Sequence, residues 1–463
     1  MDLKYCMQKK IFIREYRSEG FSLKHWKIVI IILAVFLMLL AVFSEVAFAE
    51  NPNLSILVER GFANNPLIRA AHEKVVFAEA ELREANADMG PKVGAAAGGI
   101  VGGDDFSMQL PVAGSGNAVI PVGFRNTYIT AVGFLQTIYS GGSLCSIKQG
   151  KTLALDAARA EETRVRQSVA NSVQVTYYNR KRAEEKEIVA EEAVSLAKDH
   201  LLKAEALFRS GVVARGDVLR SRVAVAQSKL DLIRAQNAAE SSLTVLERAV
   251  GTVVYPEDLT CNIGDNCRQS PDITEISVDE MVQNAYAGRQ EIKMYSLLSR
   301  QAEKLAKAAA GQLLPQIMAG GAYFNADDSF LPRGDDNWKV GIVAYWTLFD
   351  SGKAKSKTEQ SKAKARELLD RLDDMKNIIR TEVTQAGLNL RSAQRRLNVT
   401  EHQVAVSEED YRITKQRYQE HVGTNLDLLD ARLALTDSRR EFVDALYDIE
   451  IAKANLIYAI GSE

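Results

Sequence analysis

Aromatic residues make up only 7% of this 463-residue chain, and proline occurs only 9 times. So few aromatics and prolines, set among long stretches of Ala, Glu, Lys, Arg, Leu and Gln, point to extended helix rather than to compact mixed domains. An excess of charge of one sign is also missing. Formal net charge is −2; residues 1–49 hold seven Lys or Arg against four acids, or +3, so the remainder carries −2 − 3 = −5. Nothing in that balance suggests a nucleic-acid surface. The five histidines, at 25, 72, 200, 402 and 421, show no zinc-ligand spacing. "CSIKQGKT" (145–152) ends like a phosphate-binding loop, yet Cys145 stands where the first glycine is required. The Gly pairs at 98–103 match no dinucleotide fingerprint. No catalytic constellation and no cofactor or metal site is implied, so an enzyme is not expected.

Cysteine is scarce as well, at four residues. Cys6 falls in the amino-terminal segment and Cys145 stands alone. Cys261 and Cys267 flank a polar loop, "CNIGDNC". In an oxidising compartment that pair closes a small disulfide, and otherwise it is two free thiols; the sequence leaves both open. Residues 1–49 read as a secretory signal peptide. A basic start ends in Lys24 and Lys27, sixteen apolar residues run from Ile28 to Phe43, and Ala47-Phe48-Ala49 supplies a small-x-small cleavage site before Glu50. The alternative is a signal anchor that is never removed, although sixteen residues fall short of the roughly 20 that span a bilayer.

What the chain does have is a duplication. A shift of 210 aligns 137–251 with 347–461 without a gap, placing Thr137 on Thr347, Gly142 on Gly352, Asp217 on Asp427, Leu219 on Leu429 and Gly251 on Gly461. Upstream the shift becomes 224, pairing Ile68 with Ile292 and Pro91 with Pro315, so the first copy holds 14 extra residues, in the Gly-rich stretch 94–123. Each copy predicts a helix of about 25 residues ending before Pro, a β-hairpin, a helix of nearly 70, a tight turn and a helix of about 35. In the second copy Leu368, Leu372, Met375, Ile379, Val383, Ala386, Leu390, Ala393 and Leu397 recur about every 3.6 residues, the period of a nearly straight helix. Phe442, Ala445, Ile449, Ala452, Leu456 and Ala459 then step 3, 4, 3, 4, 3, a coiled-coil seam. Leu232, Ala235, Ala239, Ser242, Leu246 and Ala249 match it in the first copy.

Helices of nearly 70 residues rise about 100 Å, deeper than any globular core. A free-standing coiled-coil rod would satisfy them, but a rod has no use for hairpins. From Trp338 to Phe349, "WKVGIVAYWTLF" puts Trp338, Val340, Ile342, Ala344, Trp346 and Leu348 on one face. The two Trp lie about 26 Å apart along a strand, or roughly 20 Å of depth once tilted, which suits an outer-membrane strand between aromatic girdles. The partner strand, Arg125 to Tyr139, is less clean, with Tyr128, Val132, Phe134 and Ile138 sharing a face with Thr130 and Gln136. Two hairpins make only four strands, and eight is about the minimum for a barrel. Several chains must therefore contribute strands to one barrel if the backbone is to be paired in lipid.

The two copies of helix, hairpin, long helix, turn and helix, the Asn65-Pro66 and Leu314-Pro315 openings, the "YSGG" and "FDSG" strand exits and the Gly-to-Asp turns resemble the TolC family of outer-membrane export channels over residues 52–461. The fold class this implies is mainly α with a β-barrel part: a homotrimer whose 12-stranded barrel, four strands per chain, continues into a long periplasmic α-helical barrel. The chain then divides into a signal peptide (1–49), a first efflux repeat (50–251; strands about 92–139, coil 143–250), an equatorial linker (252–288) and a second repeat (289–463; strands about 316–350, coil 353–460).

The resemblance further implies a passive duct of a tripartite efflux pump or type I secretion system. Its partners would be a periplasmic adaptor (membrane fusion) protein, an inner-membrane transporter of the RND, ABC or MFS type, and outer-membrane lipid. By the same resemblance Asp427 and Asp430, with Asp217 as the first copy's equivalent of Asp427, constrict the pore. Gly211, Val212, Val213, Val422, Gly423 and Thr424 form the adaptor-docking tips, and Trp338, Trp346 and Tyr128 the membrane girdle. Asp at these positions also fits a helix cap. Phe208-Arg-Ser-Gly211 matches the family's turn, but Tyr418-Gln-Glu-His421 puts His where that Gly sits, so Gly423 is expected to supply the left-handed residue there. The competing reading is a periplasmic coiled-coil adaptor or scaffold held by an uncleaved anchor.

Overall fold

The computed structural model describes residues 52–101, 107–112, 116–121, 126–259, 277–327 and 337–462. The amino-terminal signal segment, Cys261 and Cys267 lie outside the described residues. In the first copy α1 (Pro52–Asn64) and α2 (Pro66–Ala87) meet at Asn65, whose side chain accepts a hydrogen bond from Leu67 N and caps α2, with Pro66 in its first turn. Proline costs nothing there, because first-turn N–H groups have no partner within the helix. Four strands follow: β1 (Lys92–Val101), β2 (Ser107–Val112), β3 (Gly116–Pro121) and β4 (Asn126–Ser140). Then come α3 (Ser143–Arg209) and α4 (Arg215–Val250), of 67 and 36 residues. The second copy gives α5 (Val278–Gly288), α6 (Gln290–Gly311), β5 (Gln316–Asp327), β6 (Asn337–Tyr345), α7 (Lys353–Gln419) and α8 (Asn425–Ile460). Helices α7 and α8 again have 67 and 36 residues, so the paired helices agree to the residue.

The duplication extends to the joints. Gly251 and Gly461 end the shorter helices at φ of 79° and 78°. A Cβ on Gly251 would lie 2.8 Å from Asn64 O, and one on Gly461 would lie 2.8 Å from Gly288 C, the position matching Asn64. Glycine is required at both by conformation and by space. Asn65 Nδ2 donates to Ala249 O at 2.7 Å, and Arg289, at the matching position, donates through Nη1 to Ala459 O at 3.4 Å. At the strand exits Gly142 and Gly352 are left-handed, preceded by Gly141 in one copy and Ser351, at φ 57°, in the other. Asp350 steadies the second exit: its carboxylate oxygens accept from Gly352 N at 3.0 Å and Ala354 N at 2.8 Å.

The periodic seams are buried as their spacing requires. Ile379, Val383, Ala386, Leu390 and Ala393 of α7 pack with Met281, Val282 and Ala285 of α5 and with Ala452, Leu456 and Ala459 of α8. Helix α8 has a second buried face, where Val443 and Tyr447 meet Tyr178 and Val189 of α3. In the half of the coil that holds the turns, α4 therefore packs on α3, α3 on α8, and α8 on α7. Near the strands the packing runs α2 on α3, α3 on α6, and α6 on α7.

The sheet is antiparallel in the order β1-β4-β5-β6. Its register runs from Lys92↔Leu135 to Val101↔Asn126, from Tyr128↔Asp327 to Ser140↔Gln316 with a shift between Thr137 and Tyr139, and from Gln316↔Tyr345 to Phe324↔Asn337. Three details differ from the sequence reading. The Trp338 strand pairs with β5, and β4 lies one strand further in. Strand β6 ends at Tyr345 rather than Phe349, because Trp346 leaves the ladder and its indole Nε1 donates to Leu313 O at 3.0 Å. The extra residues of the first copy carry a second hairpin, β2–β3, paired from Ser107↔Pro121 to Val112↔Gly116. Among the described residues no helix packs across the four-stranded sheet.

Candidate functional site

The two helical turns are built alike and finished differently. In the first, Gly211 is left-handed at φ 77°, and Val212 N donates to Leu207 O at 2.9 Å, the bond that closes a Schellman turn. In the second, His421 itself takes the left-handed place at φ 64°, and Val422 N donates to Arg417 O at 3.0 Å. Gly423 is not the left-handed residue. It serves close approach instead, since a Cβ there would lie 3.1 Å from Tyr418 N and 3.2 Å from Arg417 C. Around these bends Gly211, Val212, Val422 and Thr424 are exposed, while Val213 and Gly423 are half-buried.

The helices that restart also differ. Thr424 caps α8 in a reciprocal box: its Oγ1 accepts from Asp427 N at 3.1 Å, and Asp427 Oδ2 accepts from Thr424 N at 3.2 Å. Those hydrogen bonds from Thr424 hold the Asp427 carboxyl below the usual carboxylate range. Asp430 lies almost one turn on, and both side chains are exposed. The first copy has Ala214 at the cap, with no side-chain bond. Asp217 is half-buried there and pairs with Arg220 Nη1 at 3.5 Å, so the residue standing in place of a second acid offsets its charge. The turns thus place Asp427 and Asp430 together on α8, whereas Asp217 belongs to an ion pair on α4.

A buried polar group that sequence reasoning missed joins the two copies just behind these turns. His200, on α3, is buried, and its Nε2 lies 2.6 Å from Oδ1 of Asn425, the first residue of α8. Asn425 Nδ2 in turn donates to Asp217 O at 3.3 Å. Tyr418 of α7 stacks at a tilt on the imidazole, with ring centroids 5.3 Å apart. Burial pushes the His200 pKa down, and the charges of Arg432 and Lys203 act the same way, against the Asn425 hydrogen bond and Asp217. Arg432 is itself buried, and among the described residues its Nη1 has no hydrogen-bond partner. The available signal was spacing: His200 stands between Ala197 and Ala204, both buried, at seam positions.

At the other end, Trp338, Val340 and Ile342 are 74%, 68% and 72% exposed, and every residue of β6 is exposed on both faces. Tyr128 is half-buried. Among the described residues no helix is long and apolar enough to cross a membrane, and no group of three or more His, Cys, Asp or Glu is placed to hold a metal ion.

Comparison with known proteins agrees with this architecture. A crystal structure of a membrane protein from Pseudomonas aeruginosa superposes with a TM-score of 0.76 at 18% identity, covering 90% of this chain and 92% of that one. The outer membrane protein VceC from Vibrio cholerae superposes with a TM-score of 0.72 at 20% identity, covering 88% and 96%. Nodulation protein T of Rhizobium leguminosarum bv. trifolii is 23% identical over 436 residues, 89% of this chain and 86% of that protein. The sequence model of the family described as outer membrane efflux protein matches residues 57–252 and 281–462, one stretch for each copy of the repeat. The chain, TolC-like in its duplicated helices and four-stranded sheet, belongs to the outer membrane efflux protein family.

Proposed function

We propose that the chain is the outer-membrane channel of a tripartite efflux pump or type I secretion system. It would be a passive trimeric duct through the outer membrane of a Gram-negative bacterium, extending into the periplasm. One observation carries this reading: the chain is left open along both edges. Among the described residues strands β1 and β6 each have a single neighbour, and the sheet exposes apolar side chains with no helix packed across it. Lipid tolerates such strands only when every backbone group is paired, which requires a closed barrel. Three copies supply 3 × 4 = 12 strands, above the roughly eight that closure needs.

The helices carry the same message. Helices α4 and α7 lie at the two ends of the order α4, α3, α8, α7, and each bears an exposed apolar stripe. Leu219, Val223, Leu230 and Ile233 mark α4; Leu388, Val399, Val406 and Ile413 mark α7. Setting α4 of one copy against α7 of the next buries both stripes, and three such contacts close a ring. In that ring Trp338, Trp346 and Tyr128 sit at the bilayer. The turns at 211–213 and 422–424 form a ring of tips for a periplasmic adaptor, and Asp427 and Asp430, with Asp217 behind them, narrow the mouth with carboxylates that attract cations. Energy comes from an inner-membrane transporter of the RND, ABC or MFS type. The purified protein is expected to run as a trimer in detergent and to give discrete conductance steps in planar bilayers. Its absence from outer-membrane fractions would overturn the reading.

A further inference from the structure

Directly after the strand exits the two copies part company in charge. Residues 353–366 of α7 carry Lys353, Lys355, Lys357, Lys362, Lys364 and Arg366 against Glu359, or 6 − 1 = +5; residues 143–156 of α3 carry Lys148 and Lys151 against Asp156, or 2 − 1 = +1. The same joint begins both helices, so the fold does not demand the charge. A helix amino terminus also disfavours cations, since its dipole presents positive charge there. Lys353 and Lys355, in the first turn, run against that local rule, and the six bases together point to an external anion. All six are exposed, and among the described residues only Lys364 has a carboxylate within ion-pair distance, Glu367 at 2.7 Å.

Position and direction narrow the anion. Ala365 and Leu368 are buried with Ala302 of α6, which fixes the side of α7 that faces its neighbour. At about 100° per residue, Lys353, Lys357 and Lys364 share one flank, and Lys355, Lys362 and Arg366 share the opposite one, each at right angles to the α6 side. In a wall one helix thick, one flank faces the surroundings and the other the bore. Just before these bases come Tyr345, Trp346, Leu348 and Phe349, all strongly exposed. Rings followed by long cationic side chains is the order found across a membrane–water boundary, where rings lie among headgroups and Lys or Arg reach their phosphates.

We propose that the outward flank of the first turns of α7 binds the phosphate headgroups of anionic phospholipid in the periplasmic leaflet, through the bases of that flank nearest the strand exits. This rests on the outer-membrane reading above. The test uses the full-length protein in nanodiscs of phosphatidylcholine with and without phosphatidylglycerol, with trimer insertion scored first and bound lipid then read by native mass spectrometry. The unaltered protein retains phosphatidylglycerol over phosphatidylcholine, and added salt weakens the preference. Of two variants, K353Q/K357Q/K364Q and K355Q/K362Q/R366Q, one loses that enrichment by roughly tenfold or more. The other keeps its lipid and shifts the channel's ion selectivity towards cations. Insertion with no preference for the anionic lipid overturns this proposal alone, as does a change confined to ion selectivity in both variants. Failure to insert overturns it together with the outer-membrane reading.

Discussion

Replacing His421 by glycine should tighten the second turn, although it removes a side chain. His421 sits at φ 64°, where an L-residue with a Cβ is strained by about 1–2 kcal/mol, while its counterpart Gly211 sits at φ 77° with no Cβ to strain. Glycine gives back part of that gain, about 0.4–1 kcal/mol, because the unfolded chain gains freedom. The net expectation is about 0.5–1 kcal/mol of added local stability in each chain. The imidazole is exposed, so little packing is lost. The assay is amide hydrogen exchange on the full-length protein in detergent, following residues 420–423, whose N–H groups close the turn. Exchange by local opening should slow about two- to fivefold in His421→Gly, and Gly211→His should quicken it by a similar factor in the first turn. His421→Val, with a β-branched side chain in the same left-handed place, should loosen the second turn further. Unchanged or faster exchange in His421→Gly would refute the claim that the backbone there is strained.

Three further outcomes follow from the same geometry. Thr424→Ala removes the capping box and should cost about 1 kcal/mol of local stability, seen as faster exchange in the first turn of α8; Ala214→Thr should slow exchange at the start of α4. His200 has its folded pKa pushed below the ordinary 6.5, so the unfolded state takes up the proton first and stability falls as pH drops below about 6.5 towards the folded value; protection around 197–204 and 417–428, which is exchange corrected for its intrinsic pH dependence, should therefore fall between pH 7.5 and 5.5 in the native chain and hold steady in His200→Gln. Changing Asp427 and Asp430 together to Asn should raise single-channel conductance and weaken cation preference, and an unchanged conductance would leave Asp427 with its capping role alone.

The parts of this fold that are readable in the sequence are those set by a local period. Leu368, Ile379, Val383 and Leu390 recur at 3.6 residues, and that period alone places them on one face of a helix long enough to need a neighbour. The joints were readable because two copies could be compared: a glycine kept at 251 and 461 needs φ near 80° and an absent Cβ. Properties fixed by distant partners were not readable. The order β1-β4-β5-β6 depends on which strands meet across some 180 residues of chain, so β4 lay one place further in than its pattern suggested. The sequence pointed to Gly423 over His421 because local preference favours glycine, yet the long helices on either side hold the bend and give His421 the left-handed backbone. His200 reads as one polar residue among many on α3, and only the approach of α8 with Asn425 turns it into a buried link.

The most direct test concerns closure, because the proposed duct needs the strands and helices of three chains. Light scattering with detergent mass subtracted gives the protein mass of the solubilised particle. Three chains per particle is the expected result, with the mass collapsing to one chain when Val223 and Val406 are both changed to Asp; a stable particle of one chain from the unaltered protein would contradict the account.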